Sequence, residues 1–397
     1  AGRSGLRLKL RRRDRRAVRA RQTLTPSARL LASAARSTLR IRAEPGESRP
    51  AIRPLIHCSW GVGGGLQPRA ERTRQTTRGM VGLSLRRMSS DVTPLVSVIV
   101  PARNAAGHIG GCLEALARQT YPRERREVIV VDNGSRDATR EVVSAHPVRL
   151  LEETSCSSPY PARNRGLDHA RGEVIAFTDA DCRPLETWLE RGVESLNEER
   201  ADLVGGRVMF TFAETPSVGE MVDALWHLDV RRQIHENRAA MTANLFVHSS
   251  VFDVIGGFDP EVRSGGDGRW TRRATDAGFS LAYAPDAIVR KPARRLGGLL
   301  AKAYRVGRGL PPAWLERGVG RSGIGVAIAH KTLPPVPSAV KRRIEETQVP
   351  GAGERLTTLW ALSWLMELVR AAGSVHGWVD LVRSDRSAFA REVDGRD

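Results

Sequence analysis

From residue 95 onward, short apolar runs alternate with stretches whose hydrophobic positions recur at helical spacing. LVSVIV (95–100) is apolar almost throughout, as a strand covered on both faces must be, and Pro101 is expected to close it. In HIGGCLEALARQT, residues Ile109, Cys112, Leu113 and Leu116 fall on one helical face. EVIVVD (127–132) reads as a second strand, closed by the turn residues Asn133, Gly134 and Ser135 and followed by a helix from Asp137 to Ala145. VRLLEE (148–153) and EVIAFTD (173–179) read as further strands, with a helix around 162–170 between them and another in LETWLERGVESLNEE. Strands separated by single helices specify a Rossmann-like α/β architecture, a mostly parallel sheet flanked by helices. Such sheets bind ligands outside the carboxyl ends of their strands.

After residue 203 the rhythm loosens into LVGGRVMF, one long helix over about 217–235, the strand MTANLFVHS, and a last strand LAYAPDAIV (281–289). The end of the chain is helical. RRLGGLLAKAYRVGRG is basic and amphipathic, whereas RLTTLWALSWLMELVRAAG is apolar nearly all round, and a proline-rich linker, KTLPPVPSAVKRR, separates them. The pattern therefore divides the chain into residues 1–90, 93–295 and a helical extension, 296–397.

Charge changes the picture only at the start. Of the formal +19 over 397 residues, +18 lies in residues 1–90, and the remainder carries 41 basic against 40 acidic side chains. That balance argues against a specific nucleic-acid partner for the globular part. Residues 1–90 are rich in Arg, Gly and Pro and lack periodicity, so they are expected to be disordered. Three origins stay open for them: a transit-type peptide, a tail for an anionic surface or nucleic acid, and upstream sequence preceding a start at Met80 or Met88. Cys58, Cys112, Cys156 and Cys182 form no CxxC pair or zinc spacing, which points to a reducing, cytoplasmic setting. No run of 18 uncharged apolar residues is present.

The candidate chemistry begins at Asp179-Ala180-Asp181, where an apolar strand stops on two carboxylates. Residues at i and i+2 of an extended segment face one side, so the pair repels itself unless a cation intervenes. A plainer reading makes them caps of a helix starting at Pro184.

VSVIVPARN, EVIVVDNGSRDAT, ARNRGLDHARGEVIAFTDADC, GGFDPEVRSGGD and GFSLAYAPDAIV, in this order, resemble the inverting glycosyltransferases of family 2, with their GT-A fold. The resemblance spans about Leu95 to Arg295. It implies transfer of a sugar from a nucleotide-sugar donor to a saccharide or lipid-linked hydroxyl acceptor, in cell-envelope or polysaccharide glycan synthesis. It assigns Asp179 and Asp181 to a divalent cation, Mg²⁺ or Mn²⁺, that neutralises the leaving diphosphate. It places Pro101, Ala102, Arg103, Asn104, Asp132, Arg163, Asn164, Asp179 and Ala180 around the nucleotide sugar, and makes Asp267 the base that deprotonates the acceptor.

The sequence departs from the family twice. Gly266 stands where an acidic residue usually precedes the base, and Lys291 stands near a usual histidine. A protonated lysine cannot ligate a metal, although Lys291, Arg290, Arg294 or Arg295 can neutralise phosphate. Trp188, Trp226, His227 and Trp270 are candidates for an acceptor cleft or for core, and Asn244 for the acceptor region or a satisfied buried amide. Two rival readings remain: a sugar nucleotidylyltransferase, and a degenerate nucleotide-sugar-binding protein without transferase activity.

In the helical extension, Arg294, Arg295, Lys302, Arg305 and Arg308 beside Leu296, Leu299 and Tyr304, with Trp360 and Trp364 further on, suggest peripheral contact with the inner face of the cell membrane. Packing of both helices on the catalytic domain explains the same pattern equally well. A chain shortened to start at Met88 is expected to fold and to retain transfer, because the strand pattern after it is complete. Circular dichroism and donor turnover check this, and an insoluble short chain beside a folded long one would show that the basic segment is required.

Overall fold

β1 (Val96–Ala102) is the centre of the parallel part of the sheet, hydrogen-bonded to β2 (Arg126–Asp132) on one side and β4 (Val174–Thr178) on the other. The computed structural model describes residues 93–155, 158–227 and 230–394, with side chains as far as residue 383 except for that of His227. Residues 1–90, Cys58 and Cys156 lie outside the described residues. The sheet has eight strands in the order β3-β2-β1-β4-β7-β6-β8-β5, which completes the set with β3 (Arg149–Glu152), β5 (Arg183–Pro184), β6 (Leu203–Thr211), β7 (Asn244–His248) and β8 (Leu281–Pro292). This is the mostly parallel sheet that the alternating pattern implies, with one addition. β7 runs antiparallel to both β4 and β6, while β6 is parallel to β8. Two reversals cancel, so β8 points the same way as β1, β2 and β4. Its carboxyl end therefore reaches the same edge of the sheet as theirs.

Pro101 does not close β1. The strand runs to Ala102, with Pro101 opposite Val131. Pairing with β4 ends at Ile99, so the strand has a single neighbour where the proline lacks an N–H. The first helix is as expected. α1 (Ala106–Ala117) buries Ile109, Cys112, Leu113 and Leu116 against the sheet. α2 (Thr139–Ser144), α3 (Pro159–Leu167) and α4 (Trp188–Glu198) follow, and α3 begins three residues earlier than the apolar pattern suggests because Ser158 caps it and Pro159 takes its first turn. The helix expected over 217–235 is helical on both sides of residues 228–229, as α5 (Val218–His227) and α6 (Val230–Asn237). α7 (Ser250–Ile255) and α8 (Gly266–Asp276) precede β8.

Of the C-terminal helices α9 (Leu296–Glu316), α10 (Arg321–Lys331), α11 (Pro337–Thr347) and α12 (Leu356–Asp394), all but α10 build a second core with α5. Met221, Val222 and Leu225 of α5 meet Leu299, Val340, Leu359 and Met366 there. The segment expected to be a plain linker therefore contains the start of α11, with Pro337 in its first turn. α12 also runs well past Gly373, where the apolar pattern ends. The reason is close packing. A Cβ at Gly307 would lie 2.1 Å from the Arg370 carbonyl oxygen, one at Gly373 2.2 Å from that of Tyr304, and one at Gly377 2.1 Å from that of Arg308. Glycine lets the two backbones touch, as in close helix crossings elsewhere. Pro311 and Pro312 remove the N–H groups that the carbonyls of residues 307 and 308 would accept within α9. The Gly307 carbonyl instead accepts from the Ser374 hydroxyl at 3.1 Å.

Most of the charges proposed for a membrane surface are engaged inside the protein. Arg294 and Lys302 pair with the buried Asp223, and Arg308 pairs with Asp380. The indole N–H groups of Trp360 and Trp364 donate to the carbonyls of Pro335 and Thr332. Leu365, Leu368, Val375 and Val379 of α12 remain exposed. No described helix is long and apolar enough to cross a membrane.

Gly373→Leu should force α9 and α12 apart, since the side chain has only backbone to displace. Overpacking of this kind costs about 1–3 kcal/mol or more. A lower urea midpoint and faster proteolysis of α12 are expected, and an unchanged midpoint would contradict the close crossing.

Candidate active site

β4 ends at Thr178, whose hydroxyl donates to the Ala243 carbonyl. The chain then turns, with Cys182 N–H donating to the Asp179 carbonyl at 2.9 Å, and enters the short β5. β5 was not anticipated, and it matters. Arg183 and Pro184 pair with Arg290 and Val289 of β8, which fastens the Asp-Ala-Asp turn beside Lys291. The capping reading fails for the same reason: residues 183–184 are strand, and α4 starts only at Trp188.

Lys291 Nζ donates to Asp179 Oδ2 at 2.8 Å and to Asp181 Oδ1 at 2.5 Å. Arg163 on α3 donates to Asp179 Oδ1 at 2.9 Å, and Arg294 lies 3.8 Å from Asp181 Oδ2. All four carboxylate oxygens thus face a cation. Burial pushes the Asp179 carboxyl up, but Lys291 and Arg163 outweigh it and hold it well below the usual carboxylate range. Burial pulls the Lys291 ammonium down, and the charges of Asp179 and Asp181 more than reverse that, so it stays protonated. Burial also pushes the Cys182 thiol up to about 12, which leaves it neutral.

Asp179, Asp181 and Cys182 are the one group among the described residues whose ligand atoms, all within 4.8 Å of one another, could hold a metal ion. The carboxylates are the ligands in kind that Mg²⁺ or Mn²⁺ takes. As arranged they do not fit one, because Lys291 sits between them, three of the four carboxylate oxygens already accept hydrogen bonds from Lys291 or Arg163, and the third member is a protonated thiol.

Asp132, at the end of β2, is only 2 % exposed. Its Oδ2 accepts from Ser135 N–H at 3.1 Å, while its Oδ1 is buried with no partner in the protein. The turn role and an outstanding hydrogen-bonding demand therefore coexist in one side chain. Arg163 Nε is likewise unpartnered, and so is Asn133 Oδ1, although Asn133 Nδ2 donates to the Ser158 carbonyl. Pro101 and Ala102 end β1 beside this point, and Arg103 and Asn104 form the loop beyond it. Asn104 adopts a left-handed backbone (φ 47°), and its Oδ1 accepts from Arg136 N–H, so its side chain holds the neighbouring loop. Asn164 is also engaged: its amide donates to the Phe258 carbonyl and accepts from the Phe258 N–H. It pins the GGFD loop, and only its neighbour Arg163 reaches the carboxylates.

Asp267 lies in the first turn of α8, after Gly265 in a left-handed conformation (φ 77°). Gly266 N–H donates to the Tyr160 hydroxyl at 2.7 Å, and a Cβ at Gly266 would sit 2.7 Å from the Tyr160 ring. The missing acidic neighbour is explained: the tyrosine ring fills its place. Burial, followed by the charge of Asp267, raises the Tyr160 phenol well above its ordinary range, so it stays protonated. Sequence reasoning missed Tyr160, and the only signal was the glycine itself.

Trp188 and Trp270 are core, and Trp226 donates to Ser363 Oγ within the helical layer. Asn244 is a satisfied amide, accepting from the Trp188 indole and donating to the carbonyls of Arg207 and Ala287. Trp270, although largely buried, also borders the cavity that Gly266 and Arg269 line beside Asp267.

Residues 97–250 match the family described as Glycosyl transferase family 2. The chain is 38% identical over 288 residues to Glycosyltransferase AglE of Haloferax volcanii, covering 70% of this chain and 95% of that protein. It is 33% identical over 113 residues to the Poly(ribitol-phosphate) beta-N-acetylglucosaminyltransferase TarS of Staphylococcus aureus, which covers 27% of this chain and only 20% of that protein. Among solved structures, a mannosyltransferase from Pyrobaculum calidifontis in complex with GDP-Man and Mn²⁺ superposes with a TM-score of 0.48 at 23% identity, over 73% of this chain and 88% of that one. A mixed sheet with its acidic pair at the carboxyl edge and a relative matched over nearly its whole length lead to one conclusion: the chain is a glycosyltransferase of family 2, with the GT-A fold.

Proposed function

We propose that this enzyme moves a sugar from a nucleotide-sugar donor to a hydroxyl group of a saccharide or lipid-linked acceptor, with inversion, in the synthesis of a cell-envelope or polysaccharide glycan. The observation that carries the donor assignment is the buried, unpartnered Oδ1 of Asp132 at the carboxyl end of β2. Buried acceptors are rarely left unpaired, and a base N–H or ribose hydroxyl of the donor satisfies this one. The diphosphate then lies along the same edge, toward Arg163, Lys291 and Arg294. Similarity to a transferase named for a poly(ribitol-phosphate) acceptor supports a hydroxyl group of an envelope polymer as the acceptor class.

In the displacement, the acceptor oxygen forms a bond to the anomeric carbon as the bond to the diphosphate oxygen breaks. Asp267 takes the acceptor proton, and the nucleoside diphosphate leaves with the electron pair. Inversion follows from a single displacement and needs no protein nucleophile.

Asp267→Asn should lower transfer by about 10²–10⁴-fold while UDP or GDP binding is kept, because only proton transfer is removed. Transfer is read by product formation and binding by calorimetry; full activity in this variant would exclude Asp267 as the base. Asp132→Ala should weaken nucleoside diphosphate binding by about tenfold, the worth of one charge-assisted hydrogen bond. Affinity unchanged in that variant would move the base or ribose away from β2. A panel of nucleotide sugars, followed by slow hydrolysis, identifies the donor.

A further inference from the structure

The seat between Asp179 and Asp181 belongs to a side chain. Lys291 is 6 % exposed, is held in β8 by the pairing of its neighbour Arg290 with Arg183, and makes hydrogen bonds to both carboxylates. Its remaining near neighbour is the neutral Cys182 sulfur at 3.8 Å. Arg163 and Arg294 take the outer oxygens. Counted with Asp223 and Lys302, to which Arg294 is joined, three carboxylates face four cations, a net charge of +1 while Lys302 is protonated. A divalent ion placed there would raise it to +3, and it could be shared by both carboxylates only by displacing a buried, doubly hydrogen-bonded ammonium. A diphosphate, by contrast, brings the negative charge that the cluster still lacks.

We propose that Lys291 is a built-in substitute for the divalent cation, so that this enzyme binds the diphosphate of its donor without metal. The inference rests on the donor reading above. Lys291 holds the two aspartates together as a bound ion would, and the surplus charge of Lys291, Arg163 and Arg294 faces the phosphates. A point charge on lysine and the planar donors of arginine are both established phosphate partners. Asp179 and Asp181 act as positioning residues, since they orient the cations that meet the ligand.

The test uses the full chain, freed of metal with EDTA. Mn²⁺ is titrated into the protein alone and followed by electron paramagnetic resonance, and UDP and GDP binding is measured by calorimetry in EDTA and in Mn²⁺. The expected result is no stoichiometric Mn²⁺ on the wild-type protein and equal nucleotide affinity in both buffers. Lys291→His should bind Mn²⁺, and its nucleotide affinity, reduced about tenfold or more in EDTA, should recover when Mn²⁺ is added. One Mn²⁺ per wild-type chain, or nucleotide binding that disappears in EDTA and returns with Mn²⁺, would overturn the proposal. Should the variant fail to fold, the wild-type Mn²⁺ titration still decides. A protein that binds neither UDP nor GDP in either buffer would refute the donor reading instead, and the Mn²⁺ result on protein alone would continue to test the lysine.

Discussion

Two carboxylates held within reach of one ammonium set the terms for the rest of this fold. Asp179 and Asp181 repel each other at the end of a buried strand, so other elements must deliver positive charge to that point. β8 brings Lys291, α3 brings Arg163, and the residue before α9 carries the chain on from Arg294. Each delivery depends on topology. β8 reaches this edge only because β7 reverses the direction of the sheet and β6 restores it. The network then continues outward: Arg294 also pairs with Asp223 of α5, and Asp223 with Lys302 of α9. Burial pulls the Lys302 ammonium down to about 7, against the attraction of Asp223 and with the repulsion of Arg294. Charge placed for chemistry at the sheet edge thus also ties the sheet to the C-terminal helices.

What could be read from the sequence was whatever local period and strand-end chemistry encode. The buried face of α1, the first four strands and the location of Asp132 and Asp179 at strand ends all follow from spacing alone. Direction does not, because a side-chain period of two is the same in a parallel and an antiparallel strand. That is why the reversal of β7 could not be read although MTANLFVHS was expected as a strand, and β5, two residues long, is too short to show any period. The cations of the helical extension looked free because their partners, Asp223 and Asp380, are 71 and 72 residues away in sequence from Arg294 and Arg308. Gly373 looked like the end of a helix because glycine often is one. Its actual use, backbone contact with α9, depends on a partner that no local window contains.

Lys291 illustrates the limit from the other side. Its identity was conspicuous as a departure from the family, and its charge suggested a phosphate contact. The structure adds that it satisfies the aspartates first. A lysine that approached only a ligand would leave the two carboxylates uncompensated in the free enzyme, which a site this enclosed does not tolerate. The same side chain therefore has a structural duty without ligand and an electrostatic one with it.

One short helix links the acidic pair to the proposed base. Tyr160 and Arg163 are three residues apart on α3, so they project from neighbouring positions of one face. Arg163 grips Asp179, while the Tyr160 hydroxyl accepts from Gly266 N–H, next to the proposed base Asp267. The arginine also lies over the tyrosine ring, 5.6 Å from its centre. Both ends of α3 are anchored independently: the Ser158 hydroxyl donates to the Val262 carbonyl at 2.6 Å, and Asn164 locks onto Phe258. Gly266 is the residue that admits this arrangement, because any side chain there would meet the ring. Gly266 and Tyr160 are therefore one arrangement in physical terms: beside the proposed base stands a buried ring, set one helical turn from the arginine that holds Asp179.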